Sequence, residues 1–392
     1  MKKRFNVTGI CYPEDNYMVD LSGRLQQTAD YVDEGKYFVI NRARQYGKST
    51  ILWALKEYLK EKYIVISMSF QEMSYADFRG EASFVSAFGD LFVQAAEGQK
   101  GCGQNALREL QNLMVQPEEK KILRHLFNSI KDFCKESQRP VVLMIDEVDS
   151  ASNNQVFLDF LSKLRDMYLQ RKNVATFQSV ILAGVYDIKN LKQKFRSEEE
   201  HRYNSPWNIA ADFDIEMSFS IDEIKKMLDE YASDHQSGMD TKMIAQYIFD
   251  YTAGYPYLVS RICKIIDEKI SRMEGFQNGT AWTKEGFLEA VKIILKEPNT
   301  LFDDMIKQLK EYPELERLLQ NILFQGREYP FNFYNQAMNI GKMFGFLTEK
   351  DGMATVANRI FETHLYNYFL SEKKPGICEK QWQDKVIVEI LV

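Results

Sequence analysis

The stretch that decides the fold is Tyr37–Thr50, YFVINRARQYGKST. Four apolar residues at its start predict a buried strand, and Gly47-Lys48-Ser49 after the turn matches the end of the phosphate-binding pattern GxxxxGK[ST]. In that pattern backbone N–H groups wrap the phosphates, the lysine neutralises the β and γ oxygens, and the hydroxyl ligates Mg²⁺. Arg42 stands at the position of the first glycine. The strict pattern therefore fails at one residue, and whether this is a phosphate-binding loop depends on the structure predicted for the residues around it.

The residues after this loop predict an amphipathic helix that begins at Ser49. Its apolar face would consist of Ile51, Leu52, Leu55 and Leu59. A helix in this position directs its unpaired N-terminal N–H groups at the phosphates. Strand, loop and helix are thus in the required order. An incidental Gly-Lys-Ser at the start of a helix would produce the same pattern, so this segment alone leaves both interpretations open.

The second informative stretch is Val141–Glu147, VVLMIDE, an apolar run that ends in two carboxylates. Ligands of open α/β sheets bind at the carboxyl ends of the strands, where both acids would lie. We expect Asp146 to hold Mg²⁺ through its water shell and Glu147 to polarise the attacking water. By itself the stretch could be a strand followed by an acidic surface turn. Together with the loop, in the right order, it predicts a Walker A and Walker B pair and hence a P-loop ATPase.

These two stretches predict a site for ATP and Mg²⁺. Catalysis is assigned to Lys48 and Glu147, and metal binding to Ser49 and Asp146. Nucleotide binding is assigned to the loop residues Arg44, Gln45, Tyr46, Gly47, Lys48, Ser49 and Thr50.

Residues that could sense the γ-phosphate or meet transition-state charge are less sharply indicated. Tyr186 or Asp187, after the strand-like run 179–184, could be the sensor, and a strand-to-helix turn explains them equally well. An arginine finger often originates between Walker B and the last strand of the sheet. That stretch contains Arg165, Arg171, Arg196 and Arg202. Each of them can also be a solvated surface arginine.

The first half of the chain alternates apolar runs with amphipathic stretches, which predicts a mostly parallel sheet covered on both faces. Five strands are predicted, at 37–40, 64–68, 141–145, 180–184 and 215–219. The glycine-rich loop Glu97–Gly103 interrupts a long helical insert and predicts a flexible connector. The fold class is therefore α/β, a P-loop NTPase three-layer sandwich with a parallel sheet, followed by a helical lid and a small winged-helix-like domain.

The domain boundaries follow from local signals along the chain. Ser220–Glu223 reads as a capping box that opens a helix, and Glu297-Pro298-Asn299 marks a break. A short hairpin is predicted within 345–356. The predicted domains are an ATPase core at 1–219, a helical lid at 220–297, a winged-helix-like domain at 298–371, and a tail or truncated extra domain at 372–392. Gly254-Tyr255-Pro256 is either a hinge of the lid or a plain turn between helices.

Bulk properties exclude several classes of function. The formal net charge of −6 offers no global basic field, so DNA is a possible partner that the overall charge does not support. No apolar run has the length of a membrane span or of a signal peptide, which predicts a cytoplasmic protein without a membrane partner. Five cysteines and four histidines are scattered without metal-ligand spacing, so neither a disulfide framework nor a zinc site is expected.

Several stretches together resemble the bacterial AAA-like ATPases, which are related to the signal-transducing branch of the AAA+ proteins. The similar stretches are NYMVD at 16–20, RQYGKST at 44–50, IDEVD at 145–149, LAGVYD at 182–187, NSPWNIA at 204–210 and YTAGYPYLV at 251–259. The resemblance covers residues 5–371. In this family the first glycine of the loop is commonly missing, so the departure at Arg42 is expected.

The resemblance also implies two further contacts with the nucleotide. The segment around Tyr17 would lie near the adenine, and Pro256 would belong to the edge of the lid that faces the nucleotide. From the residues alone, the first segment is a polar-aromatic loop and the second a helix-entry turn. Many relatives carry a C-terminal PD-(D/E)xK nuclease-like domain. This chain has no acidic pair followed by Glu-x-Lys on a strand, so no nuclease activity is assigned to it.

Three functions remain open at the level of sequence. The first is an ATPase switch, with ATP or ADP bound, in signalling, mobile-element biology or defence, that acts on a protein partner yet to be identified and could be a homo-oligomer. The second is a nucleotide-tuned DNA-binding regulator. It would use the basic residues of the winged-helix-like segment, Arg317, Arg327, Lys342 and Arg359. The third is a nucleotide-binding scaffold with negligible turnover, which the intact Lys48 and Glu147 disfavour.

Overall fold

A computed structural model describes residues 2–151, 154–185, 207–277 and 280–372. Packing divides the chain into two compact units. The sheet unit comprises Leu21–Ala43 and Gly47–Glu216, and the helical unit comprises Met1–Asp20, Arg44–Tyr46 and Met217–Val392. Each unit has its own core and is described separately. The predicted domain boundaries at 219, 297 and 371 stay predictions. Of the predicted tail at 372–392, all residues after 372 lie outside the described residues.

Four of the five predicted strands are confirmed. They are β1 (Tyr37–Asn41), β2 (Ile64–Ser69), β3 (Val141–Asp146) and β4 (Ser179–Gly184). All pairings are parallel, and the strand order is β1-β4-β3-β2. Parallel strands run in one direction, so Asn41, Asp146 and Gly184 end at the same edge of the sheet. This edge is where a ligand of an open α/β sheet binds.

The prediction of a fifth strand at 215–219 is wrong. The chain approaches the sheet earlier, where Ala211 forms an isolated parallel bridge with Phe38 of β1. Farther along, the carbonyl of Ile215 accepts a hydrogen bond from the Arg42 guanidinium at 2.8 Å. A side chain thus satisfies a main-chain acceptor that a ladder would otherwise pair, and regular strand pairing is not needed there.

Helices cover both faces of the sheet and complete the predicted three layers. Those of the sheet unit are α1 (Ser22–Asp33), α2 (Lys48–Leu59), α3 (Glu81–Ala96), α4 (Gln104–Met114), α5 (Leu123–Glu136) and α6 (Gln155–Gln170). Alternate strand residues such as Ile66 and Leu143 share one buried core with side chains of α3, α5 and α6. On the other face, α2 packs against β2 and β3, and Tyr31 of α1 meets Phe38 edge-on at 5.4 Å. The α/β fold class is confirmed.

The loop Glu97–Gly103, predicted as a flexible connector, forms hydrogen bonds with the edge of the sheet. The Gln99 side chain accepts a hydrogen bond from the Val65 N–H at 3.1 Å and donates one to the Val65 carbonyl at 2.9 Å. Val65 lies on β2, which is an edge strand. One amide side chain therefore satisfies both main-chain groups of an edge position that would otherwise be open to another strand.

The described part of the helical unit consists mainly of eight helices and one hairpin. The helices are α7 (Ile221–His235), α8 (Thr241–Thr252), α9 (Pro256–Glu268), α10 (Lys284–Lys296), α11 (Thr300–Glu311), α12 (Pro313–Gln325), α13 (Gln336–Met343) and α14 (Arg359–Glu372). The predicted capping box at Ser220 and Glu223 is present at the start of α7. The predicted hairpin is formed by β5 (Leu347–Lys350) and β6 (Met353–Val356). None of the described helices is long and apolar enough to cross a membrane.

A third extended segment joins this hairpin. The Phe331 N–H donates to the Gly352 carbonyl, and the Ala354 N–H donates to the Tyr329 carbonyl, both at 2.8 Å. Helices α12 and α13 with this three-stranded arrangement have the general form of the predicted winged-helix-like module.

Candidate nucleotide site

The phosphate loop turns through two residues with left-handed backbone conformations. Gln45 has φ 56° and Gly47 has φ 80°. Gly47 caps α2, which begins at Lys48, one residue before the predicted start. No atom lies within 4 Å of the place where a Cβ on Gly47 would stand, so its φ and not crowding favours glycine at this position. The N-terminus of α2, directly after it, carries the unpaired N–H groups that a phosphate would bind.

Lys48 is only 6% exposed and its side chain returns to its own loop. Its Nζ donates to the carbonyls of Arg42 and Ala43, each at 2.9 Å. A buried ammonium group needs such acceptors, because an unpaired one would be strongly destabilised by the loss of water. The Lys48 side chain therefore stabilises the turn of its own loop, and its charge lies where the phosphates would bind.

Ser49 and Asp146 meet at the edge of the sheet, as the two motifs predict. Ser49 Oγ donates to Asp146 Oδ2 at 2.6 Å, and Asp146 Oδ1 accepts the Glu147 N–H at 2.8 Å. Mg²⁺ is typically bound by one or two oxygen side chains together with phosphates of the nucleotide and water. A hydroxyl beside a carboxylate fits that donor set. Among the described residues, no group of three or more His, Cys, Asp or Glu side chains is placed to hold a metal alone.

Glu147 has an unusual backbone for its residue type. Its φ is 51°, in the left-handed region that costs non-glycine residues about 1–2 kcal/mol. The turn is held by the Glu147 N–H on Asp146 and by the Ser150 N–H on the Glu147 carbonyl at 3.1 Å. Strain of this kind concentrates at functional sites, where the surrounding structure enforces it.

Asp149 is a residue of the site whose position the sequence does not predict. Its Oδ2 accepts the Val185 N–H at 2.6 Å, just after β4. Its Oδ1 would lie 2.8 Å from a Cβ on Gly184, so only glycine fits at the end of that strand. Asp149 thus ties the turn after β3 to the end of β4. The only feature of the sequence that pointed to Asp149 was its place in the family-like stretch 145–149. The sensor candidates Tyr186 and Asp187 lie outside the described residues.

The remaining loop residues divide between the two units. Thr50 lies in the first turn of α2, while Arg44, Gln45 and Tyr46 belong to the helical unit. Tyr46 shares a hydrogen bond with Ser218 Oγ at 2.8 Å. The sequence contains no signal for this contact, because the two residues are far apart along the chain.

The residues around Tyr17 and Pro256 also belong to the helical unit. Tyr17 is 2% exposed, donates a hydrogen bond to Asp234 at 2.9 Å, and packs against Phe5 with ring centroids 5.1 Å apart. Burial, followed by that hydrogen bond, raises the pKa of Tyr17 well above its usual value. Pro256 is buried in the first position of α9. The nucleotide contacts of both residues stay predictions.

The structure limits what Gly254 can do as a hinge. Gly254 has φ 72°, and its carbonyl accepts the Phe219 N–H at 2.8 Å. A Cβ on Gly254 would lie 2.1 Å from the Phe219 carbonyl oxygen. Two stretches of backbone therefore touch here, and a larger residue at this position would break the contact. A Gly254→Val variant is consequently unsuitable for testing a hinge.

Two of the four finger candidates can be located. Arg165 lies on α6 with its Nε buried and without a hydrogen-bond partner among the described residues. Arg171 stacks on Tyr168 at 3.7 Å and donates to the carbonyl of the same residue. Arg196 and Arg202 lie outside the described residues. The identity of an arginine finger stays a prediction.

Comparison with known proteins agrees with this geometry. Residues 24–176 match the family model of the AAA ATPase domain, a segment that contains the loop, Asp146 and Glu147. Residues 24–176 form an AAA-type P-loop ATPase domain. The resemblance drawn from the sequence and the assignment of an ATP-hydrolysing enzyme are thereby confirmed. No curated protein sequence is significantly similar to this ATPase.

One of the solved structures that match this chain shares its fold. The Walker-type ATPase PABY2304 of Pyrococcus abyssi superposes with a TM-score of 0.59 at 14% identity, over 92% of this chain and 99% of that chain. The RuvB Holliday junction branch migration motor of Thermotoga maritima has a TM-score of 0.41 and 12% identity, over 91% and 96%. Cdc6p from Pyrobaculum aerophilum has a TM-score of 0.41 and 11% identity, over 94% and 98%.

Proposed function

We propose that this ATPase is a molecular switch whose site uses Lys48, Ser49, Asp146 and Glu147 in separate roles. The hydrogen bond between Ser49 and Asp146 carries the proposal, because it brings the two motifs, 97 residues apart, to one point at the edge of the sheet. Lys48 would neutralise phosphate charge, and Ser49 with Asp146 would hold Mg²⁺. When bound there, Mg²⁺ would supply positive charge that offsets the negative charge of the phosphates.

Hydrolysis needs a group that orients and deprotonates water. Glu147 is the candidate, because it directly follows Asp146 at the carboxyl end of β3, while Asp146 itself contacts Ser49. The left-handed turn at Glu147 gives the two neighbouring acids different backbone directions. One carboxylate can then serve the metal and the other the water.

The binding role of Lys48 is tested by thermal unfolding with MgATP. At a hundredfold excess over the dissociation constant, ligand linkage stabilises the protein by about 2.7 kcal/mol. We expect Lys48→Ala to remove this stabilisation. Lys56→Ala, on the same helix near its C-terminal end, is the matched control and should respond like the wild type. Equal stabilisation of Lys48→Ala and the wild type would place the phosphate site elsewhere.

The division of labour between the two acids is tested by amide variants. Glu147→Gln should bind MgATP with wild-type affinity and turn it over at least about 100-fold more slowly, because general-base catalysis typically contributes that much. Asp146→Asn should instead weaken binding and shift the Mg²⁺ dependence. Wild-type hydrolysis by Glu147→Gln would make Glu147 a structural acid only.

The nucleotide-tuned DNA-binding regulator remains a second candidate because of one surface feature. Phe333 and Tyr334 are 56% and 99% exposed, and Lys342 lies 5.3 Å from the centre of the Phe333 ring. Exposed aromatic rings beside a cation suit stacking on bases. The acidic net charge of −6 weighs against this candidate. ATPase assays with and without DNA, on wild type and Lys342→Glu, decide: DNA stimulation that the variant loses would favour the regulator.

The wider setting of the switch is also a proposal. We place it in the cytoplasm, in signalling, mobile-element biology or defence, where it would act on a protein partner as a homo-oligomer. Purification together with the products of neighbouring genes would identify such a partner.

A further inference from the structure

Side chains of the helical unit contact three residues of the phosphate loop, Arg44, Gln45 and Tyr46. The Tyr46 hydroxyl shares a hydrogen bond with Ser218 Oγ at 2.8 Å, and Gln45 Nε2 donates to Thr300 Oγ1 at 3.2 Å. Arg44 has two such contacts: its Nε lies 3.6 Å from Asp304 Oδ2, and its carbonyl accepts a hydrogen bond from the Tyr255 hydroxyl at 2.5 Å. Contacts to three consecutive residues thus restrict the conformations of this part of the loop.

Tyr255 is the centre of these contacts. It is 3% exposed, and its ring meets the Tyr46 ring edge-on with centroids 4.7 Å apart. On another side its ring meets that of Phe361 on α14 at 5.3 Å, and Phe361 in turn meets Phe302 on α11 at 6.4 Å. Desolvation by burial raises the pKa of Tyr255 well above its usual value, so the hydroxyl remains a donor at neutral pH.

The hydrogen bond on the Arg44 carbonyl has a consequence for phosphate binding. A peptide unit is planar and trans, so its carbonyl and the next N–H point in opposite directions. A hydroxyl that fixes the Arg44 carbonyl therefore also fixes the direction of the Gln45 N–H. Gln45 also has a φ of 56°, which a non-glycine residue keeps only when its surroundings enforce it. The Tyr255 hydroxyl supplies part of that enforcement.

We propose that Tyr255 is a positioning residue of the phosphate loop: it sets the Arg44–Gln45 peptide for MgATP and links nucleotide occupancy to α9, α11 and α14. The inference rests on the proposed role of this loop as the phosphate site. A loop held in its binding conformation has a higher apparent affinity than one that samples others, since apparent affinity scales with the population of the competent state. Coupling of this kind is reciprocal, so the nucleotide should in turn steady α11.

The test uses Tyr255→Phe, which removes only the hydroxyl. We expect MgATP to bind about 3- to 10-fold more weakly, the range corresponding to one lost hydrogen bond, with kcat unchanged at saturating ATP. Tyr231→Phe is the matched control. Tyr231 is 5% exposed in the same unit, and its hydroxyl donates to Asp267 at 2.6 Å. That variant should lose thermal stability and keep wild-type affinity.

Two further measurements separate positioning from general destabilisation. Ser218→Ala removes the hydrogen bond between Ser218 Oγ and the Tyr46 hydroxyl and should also weaken MgATP binding. In hydrogen–deuterium exchange, MgATP should slow the amides at the start of α11 in the wild type and less in Tyr255→Phe. Wild-type affinity in both Tyr255→Phe and Ser218→Ala, or equal slowing at α11 in Tyr255→Phe and wild type, would overturn the inference.

The outcomes also distinguish this inference from the proposed function. If MgATP binds the wild type and Lys48→Ala equally, the phosphate site itself is misassigned. If Lys48→Ala abolishes binding while Tyr255→Phe behaves like Tyr231→Phe, the site stands and the role of Tyr255 is refuted.

Discussion

Replacing Glu147 by glycine should lower ATP turnover at least about 100-fold and should give a more stable protein than replacing it by alanine. With φ 51°, Glu147 occupies the left-handed region, at a cost of about 1–2 kcal/mol for a residue with a Cβ. Glycine removes this cost but loses more chain entropy on folding, about 0.5–1 kcal/mol. The difference leaves a net gain of about 1 kcal/mol.

The comparison that isolates the backbone is Glu147→Gly against Glu147→Ala. Both variants lose the carboxylate, and both keep the main-chain hydrogen bonds to Asp146 and from Ser150. Only alanine keeps the strain. Thermal unfolding should therefore place Glu147→Gly about 2–4 °C above Glu147→Ala, the shift expected from about 1 kcal/mol in a unit of 150–250 residues. Turnover should fall at least about 100-fold in both.

Ala253 offers a matched control for the size of the strain. It has φ 47° at the C-terminal end of α8 and is exposed. Ala253→Gly should stabilise the protein by a similar amount and leave kcat unchanged. If Ala253→Gly is stabilising while Glu147→Gly is no more stable than Glu147→Ala, the left-handed turn at Glu147 is not strained and the reasoning fails. If confirmed, the result means that Glu147 is retained at a cost in stability, as expected of a catalytic group.

Two further predictions concern the rest of the structure. In urea unfolding, Gly254→Ala should destabilise the protein by about 3 kcal/mol or more, because the new Cβ would stand 2.1 Å from the Phe219 carbonyl oxygen. Gly326→Ala is the control: its φ is 59° but the space around it is open, so the protein should lose only about 1 kcal/mol of stability. Equal losses in the two variants would contradict the prediction. Asp33 has a lowered pKa, chiefly through its hydrogen bond from Lys62. A carboxylate whose pKa is lower in the folded than in the unfolded state stabilises the fold at pH values above its unfolded pKa, which is about 4 for Asp. The stability difference between wild type and Asp33→Asn should therefore shrink as the pH falls below about 4. A difference that does not change with pH would refute the ion pair.

What the sequence by itself determined were features encoded within a few neighbouring residues. The four buried strands follow from short apolar runs, and the Ser220 capping box and the hairpin from local turn chemistry. The phosphate loop and Asp146 were recognisable because each motif is contiguous, and because parallel strands bring their ends to one edge. For these, local preference and tertiary structure agree.

Tertiary structure alone decided the features that depend on distant partners. Residues 215–219 have a strand-like pattern, yet a single arginine side chain takes the carbonyl of Ile215, and periodicity cannot reveal such a competitor. Gln99 at an edge strand and Tyr255 on the Arg44 carbonyl are likewise contacts between residues 34 and 211 positions apart. A hydrogen bond requires an atom within about 3 Å, and only the folded chain determines which distant side chain comes that close.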